Sequence, residues 1–154
     1  MKKYRIYSDS SVIGGYYDPE FEVDSRRFIE AVRAGKITML ISEVVVREIE
    51  KSPERVRNLL ASLPRQSVVR VETLREVIEL RDAYLSAGVV GPKWVDDATH
   101  VAAATVARAD AIVSWNFVHI VRLDRMKAYN RVNLLNGYGM LTIITPKEIN
   151  YDEL

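Results

Sequence analysis

The stretch Ile37-Thr38-Met39-Leu40-Ile41-Ser42-Glu43-Val44-Val45-Val46-Arg47-Glu48-Ile49-Glu50-Lys51 changes its period part-way along. Its first five residues are apolar or β-branched, as in a strand covered on both faces. From Ser42, a residue suited to capping, the pattern becomes helical. Glu43, Arg47 and Glu50 fall on one polar stripe, while Val44, Val45 and Ile49 form the apolar one. Glu48 breaks this division, because it lies four residues after Val44 and three after Val45, inside the apolar stripe. A lone carboxylate is rarely buried without a partner, so Glu48 is expected to face something positive at the edge of the core. An internal pair with an arginine is the plain alternative to a functional role.

Outward from this unit, strand and helix patterns keep alternating. Further strands are expected at Tyr4–Ser8, Val68–Val71, Ala111–Ser114 and Leu141–Ile144. Asp24 reads as the cap of a helix that buries Phe28, Ile29 and Val32 and stops at Gly35. Ser52-Pro53 starts a second helix ending near Pro64. Thr73 and Glu76 have capping-box spacing, opening a helix that closes at Gly88. An alanine-rich helix is expected from about Trp94 to Ala109 and another after Asn116, and Thr145 with Glu148 gives a second capping box. The alternation predicts one α/β domain over residues 1–154, with a central, mostly parallel sheet of about five strands between helical layers.

Composition narrows the chemistry. The 154 residues are 48% hydrophobic and 28% charged, which excludes a disordered or low-complexity chain. Lys and Arg number 22 against 21 Asp and Glu, so no global field favours nucleic acid and any such affinity must be local. With no cysteine and only two histidines, thiol nucleophiles and thiolate or histidine-rich metal sites are excluded, and any metal would be held by oxygen. The N-terminal stretch reaches polar Ser8 without an apolar signal core, and Ala98–Ala107 is too short to span a membrane. A cytoplasmic location is expected.

Three other polar residues sit where a sheet of this kind binds ligands. Asp9 closes the first strand and Asn116 follows the strand at Ala111–Ser114, both beyond carboxyl ends. Asp97 shares helical spacing with Trp94, Val101 and Ala104, while Asp96 is turned about 100° away toward His100 and Ala103. Each has an ordinary explanation: an Asx turn for Asp9, a cap for Asn116, a dipole-complementing carboxylate for Asp97. Three acids and an amide brought to one edge together are harder to explain so.

The ordered set is similar to a known family. Asp9 and Ser11 after the first strand, Ile41-Ser42 with Glu48-Ile49, Asp97-Ala98-Thr99-His100-Val101-Ala102, and Val113-Ser114-Trp115-Asn116-Phe117 together resemble a PIN domain, in particular the VapC-like toxins of type II toxin–antitoxin systems. The likeness includes Val12–Gly15, Tyr138-Gly139 and Thr145–Glu148. It implies a three-layer α/β/α fold and a Mg²⁺- or Mn²⁺-dependent ribonuclease with an acidic pocket. Carried over, Asp9, Glu48 and Asp97 match the family's acids, with Asn116 where many members have a fourth. That exchange lowers the pocket from four formal charges to three, although an amide oxygen can still ligate a hard cation.

The implied chemistry is phosphodiester hydrolysis, in which divalent ions activate water and neutralise developing charge. Asp9 and Asp97 are expected as direct ligands, Glu48 as a water-orienting group or further ligand, and Asn116 and Ser114 as residues that position water or substrate. Arg122, Arg125, Lys127 and Arg131, opposed only by Asp124 between Phe117 and Asn133, could contact RNA; an ordinary solvated helix face is the alternative. Trp115 and Tyr129 could stack on unpaired bases, whereas His100 and His119 read as hydrogen-bonded structural residues. The expected partners are RNA, an antitoxin and a second copy of the chain. A phosphoaspartate enzyme is disfavoured because Ser11 stands where a second aspartate belongs. A stand-alone or catalytically weak module that binds RNA or protein is the remaining alternative.

Overall fold

A computed structural model describes residues 3–154. Five parallel strands form one sheet: β1 (Tyr4–Ser8), β2 (Ile37–Ile41), β3 (Val68–Arg70), β4 (Ala111–Val113) and β5 (Ile143–Ile144), in the order β3-β2-β1-β4-β5. Among the described residues, seven α-helices connect and cover them: α1 (Ser10–Gly15), α2 (Glu22–Arg33), α3 (Glu43–Glu50), α4 (Glu54–Ser62), α5 (Arg75–Ser86), α6 (Val95–Val106) and α7 (Leu123–Leu135). The result is the predicted α/β sandwich. Tyr7, Ile13, Phe28, Met39, Leu40 and Ile112 are fully buried in its core. Among the described residues no helix is long and apolar enough to cross a membrane.

The strand register explains how distant residues meet. In β1 and β4, Ser8 pairs with Val113, so Asp9 and Ser114 leave the sheet side by side at its carboxyl edge. The order reverses at this point, with β2 on one side of β1 and β4 on the other. That is the crevice where open α/β sheets bind ligands. Glu43, Arg47 and Glu50 are exposed along α3, as the stripe requires, and Glu48 is half-buried.

Several local expectations need correction. Residues 10–15 form a helix that the glycine pair concealed, and it is capped by Asp9 through the amide of Ser11. Helix α2 begins at Glu22 rather than after Asp24, since Phe21 takes the cap position. The Thr73 box does not form; α5 starts from Leu74, and the Thr73 hydroxyl is buried without a partner. No helix follows Asn116 directly: a turn intervenes, and α7 waits until Leu123. The Thr145–Glu148 box forms as read.

Gly15 shows why a small residue is needed under this edge. A Cβ there would lie 2.4 Å from Ser25 Oγ and 3.0 Å from Trp115 Nε1. Those two atoms are themselves hydrogen-bonded at 2.8 Å, which anchors the segment after β4 to α2.

Candidate functional site: an acidic pocket at the carboxyl edge

Asp9 is the most enclosed acid, at 4% exposure. Its Oδ1 accepts from the amide and hydroxyl of Ser11 at 3.1 and 2.6 Å, and its Oδ2 accepts from the Ser114 hydroxyl at 2.5 Å. Burial raises its pKa above the ordinary aspartate value. The charge of His100 and the two serines oppose that rise, while the charge of Glu48 adds to it. Asp9 thus caps α1, the ordinary explanation, from a buried position at the carboxyl edge of the sheet.

The partner that Glu48 finds is the imidazole of His100 rather than an arginine. The Nε2 of His100 lies 2.7 Å from Glu48 Oε1, which also accepts from Ser10 Oγ at 3.2 Å. On the far side of the ring, Nδ1 is 2.7 Å from the Tyr7 hydroxyl, itself 2.6 Å from Ser42 Oγ. A carboxylate only accepts, so Nε2 carries a proton whether the ring is neutral or charged. Burial alone would lower the imidazole pKa. The Glu48 hydrogen bond and the charges of Asp9, Glu48 and Asp97 outweigh it, and the net shift is upward. Asp96 is turned elsewhere as expected, pairing with Arg47 at 2.8 Å, but His100 belongs with the acids and not with Asp96.

Asp97, half-buried in the first turn of α6, also has a raised pKa. Burial is the main cause; the charges of His100 and His119 and a hydrogen bond from Asn116 counter it, and the charge of Asp9 adds to it. Asn116 therefore meets Asp97, but its Oδ1 accepts from the amides of Val118 and His119 at 3.3 and 2.9 Å. Its own amide donates to Ser114 Oγ at 2.9 Å. The oxygen expected to face a cation has backbone partners, and the residue acts on Asp97 as a donor.

Among the described residues, no three carboxylate or imidazole groups converge as a ready-made metal cage. The donor set still suits a hydrated hard cation, because Mg²⁺ typically takes one or two carboxylates and keeps several waters. Asp9 repels both Glu48 and Asp97 here, the condition a divalent ion relieves.

The basic residues expected on RNA differ in their surroundings. Arg122 is ion-paired to Asp124 at 2.6 Å. Arg125 turns inward and donates to the Val89 carbonyl, leaving its Nε buried without a partner. Lys127 and Arg131 border an apolar groove along α7, beside Leu123, Met126, Leu134 and Met140. Tyr129 cannot stack on a base: it is fully buried, and its hydroxyl donates to the His119 carbonyl. Trp115 remains partly exposed, stacked on Phe21 with ring centroids 4.6 Å apart.

Sequence reasoning missed His100 and Ser10 as pocket residues. The signal for His100 was present: it follows Asp97 by three residues, one helical turn. For Ser10 there was none, because the helix that carries it was not visible.

No protein-family model and no curated protein matches this chain. In fold, it is similar to a chain in the crystal structure of VapBC2 from Rickettsia felis bound to a DNA fragment from their promoter. The TM-score is 0.55 at 13% identity, over 90% of this chain and 96% of that one. The fold is thus PIN-like, as the sequence resemblance implied.

Proposed function

We propose that the protein is a Mg²⁺- or Mn²⁺-dependent endoribonuclease, acting as the toxin of a toxin–antitoxin pair. The observation that carries this reading is the pocket itself: buried Asp9 at the switch point of a parallel sheet, within electrostatic reach of Glu48, with Asp97 within reach of Asp9. The likeness to VapBC2 supports the fold in which such a pocket would work.

Asp9 and Asp97 would hold the cation. Bound there, it would supply activation of water and neutralisation of charge on the phosphate. Ser11 and Ser114 fix the Asp9 carboxylate in one orientation, and the Asn116 amide favours the charged form of Asp97. His100 and Ser10 both hold Glu48 through Oε1, and its other oxygen would accept a proton from an attacking water. Arg122, Lys127 and Arg131 are the proposed contacts to RNA phosphates, with Arg125 as their structural neighbour. An antitoxin, self-association as a homodimer and a cytoplasmic location complete the proposal.

The test is cleavage of single-stranded RNA by the purified chain in Mn²⁺ or Mg²⁺, with Asp9→Asn and Asp97→Asn as controls that retain the fold. Cutting by the wild type alone supports the proposal. The non-catalytic module has one specific observation in its favour, the engagement of Asn116 by backbone amides where a fourth ligand would stand. Equal RNA binding by all three proteins, with no cutting in any divalent ion, would establish it instead.

A further inference from the structure

The loop from Ser114 to His119 alternates two kinds of side chain. Ser114 and Asn116 turn to the carboxylates, and Trp115, Phe117 and His119 turn to aromatic partners. Trp115 stacks on Phe21 at 4.6 Å, and Phe117 lies 6.2 and 6.3 Å from Trp115 and Phe21, with 49% of its own surface exposed. At the other end of the loop, His119 stacks on Trp94 at 4.1 Å with an interplanar angle of 28°. Trp94 is 38% exposed, and the exposed Lys93 ammonium sits 5.1 Å from its ring centroid.

Both aromatic groups are tied to the acids by short chains of contact. The amide of Trp115 donates to Ser11 Oγ at 2.9 Å, and that hydroxyl donates to Asp9. His119 acts electrostatically on Asp97, which lies one turn of α6 from Trp94. An apolar core does not require these rings, since Trp94 and Phe117 leave large areas in water beside the most polar part of the molecule. Flat exposed rings flanking a phosphate-handling pocket suit the one flat apolar part of a nucleic acid, an unpaired base.

We propose that Trp94, backed by His119, and the Phe21–Trp115–Phe117 cluster are two base-stacking platforms flanking the pocket, which restrict the substrate to single-stranded RNA with splayed bases. The proposal rests on the nuclease reading for its substrate. A base arriving on Trp94 displaces Lys93, whose freed ammonium meets the adjoining phosphate. Duplex RNA, with its bases already stacked, offers nothing to either platform.

The chain has two tryptophans, Trp94 and Trp115, so each platform carries its own fluorophore. The experiment titrates the full chain in calcium buffer with a single-stranded twelve-nucleotide adenosine RNA, using Trp94→Phe and Trp115→Phe to isolate each reporter. Quenching of both reporters is expected. Trp94→Ala should weaken binding about tenfold or more while Trp94→Phe restores it. An RNA lacking one base should bind the wild type as weakly as the intact strand binds Trp94→Ala, with no further loss when both changes are combined. Unchanged affinity in Trp94→Ala, equal binding of duplex, or equal binding of the base-less strand overturns the proposal; the last result would assign the rings to a protein partner. Cleavage in Mn²⁺ is scored separately: cutting without quenching sinks the platforms alone, and quenching without cutting sinks the nuclease alone.

Discussion

The Nε2 atom of His100 on α6 and the Oε1 atom of Glu48 on α3 are 2.7 Å apart, joining two helices across the carboxyl edge of the sheet. The contact sets a basic group among the acids of the pocket. When protonated, the buried His100 imidazole puts positive charge near Asp9 and Asp97 and opposes the rise in both their pKa values. Tyr7 and Ser42 brace the ring from behind, and Ser10 holds the same carboxylate oxygen from α1.

This arrangement fixes how stability depends on pH in metal-free solution. The His100 pKa is raised above 6.5, so the folded state binds that proton more tightly than the unfolded state does. Its stabilisation is complete below about pH 6.5 and is lost as pH climbs through the folded value. Asp9 and Asp97 are raised above 3.8, and the folded chain also holds their protons more tightly, so deprotonating them costs stability in the same direction. The melting temperature in EDTA should therefore fall from pH 5 to pH 8, with the upper part of that slope flattened in His100→Gln. Thermal denaturation followed by circular dichroism checks this, and a melting temperature that rises over the same interval contradicts it.

A divalent cation should reverse that slope. The ion favours ionised carboxylates, so its stabilisation grows as Asp9 and Asp97 lose their protons. At ten times the dissociation constant, mass action contributes about 1.4 kcal/mol. For a domain of this size that is a melting-temperature rise of roughly 3–6 °C. In Asp97→Asn the metal-free protein should melt at or above the wild-type temperature, because one repelling charge is gone, and Mn²⁺ should no longer raise it. Cleavage should drop at least about 100-fold, the upper end of what the loss of a mere supporting partner costs a metal site. A full metal-induced shift in this variant would remove Asp97 from the ligand set.

The close approach at Gly15 gives a test that is independent of the chemistry. In Gly15→Ala, the new methyl meets Ser25 Oγ at 2.4 Å and the Trp115 indole at 3.0 Å, so one of them must move. Overpacking of this kind costs about 1–3 kcal/mol. The Ser25–Trp115 hydrogen bond should break, and the Trp115 emission should shift as its Nε1 changes partner. Urea titration and tryptophan fluorescence measure the two effects; a variant with unchanged stability and spectrum would show that α1 and α2 separate without cost.

Much of this architecture was visible in the amino-acid order, because most of the strands are short apolar or β-branched runs set between helical patterns. Glu48 was identifiable because an amphipathic helix gives a carboxylate a definite side, and β1 located Asp9 by ending just before it. What escaped notice depended on partners distant in sequence. Residues Ser10–Gly15 carry two glycines and span fewer than two turns, too little for periodicity to register. Thr73 has the spacing of a box, yet Leu74 takes the cap position and the threonine hydroxyl goes unused. Tyr129 looked available because α7 is rich in charge, but its face packs edge-on against Tyr84 with ring centroids 4.9 Å apart.

Asn116 offers the sharpest test of the pocket, since the reverse exchange restores a fourth acid. In Asn116→Asp a carboxylate oxygen can still accept from the amides of Val118 and His119, so the turn should keep its shape. The donor to Asp97 is lost, however, and two carboxylates face each other where an amide met an acid. Like charges set close together disfavour ionisation of the pair. The metal-free variant should therefore be less stable than wild type at pH 8 by about 1 kcal/mol, the usual scale of a lost hydrogen bond. The same repulsion is what a divalent ion removes, so Mn²⁺ should raise the melting temperature of this variant by more than it raises that of the wild type. Isothermal calorimetry with Mn²⁺ should give tighter binding in step. If the exchange lowers stability equally with and without Mn²⁺, Asn116 lies outside the reach of any bound ion and serves only to close the turn after β4.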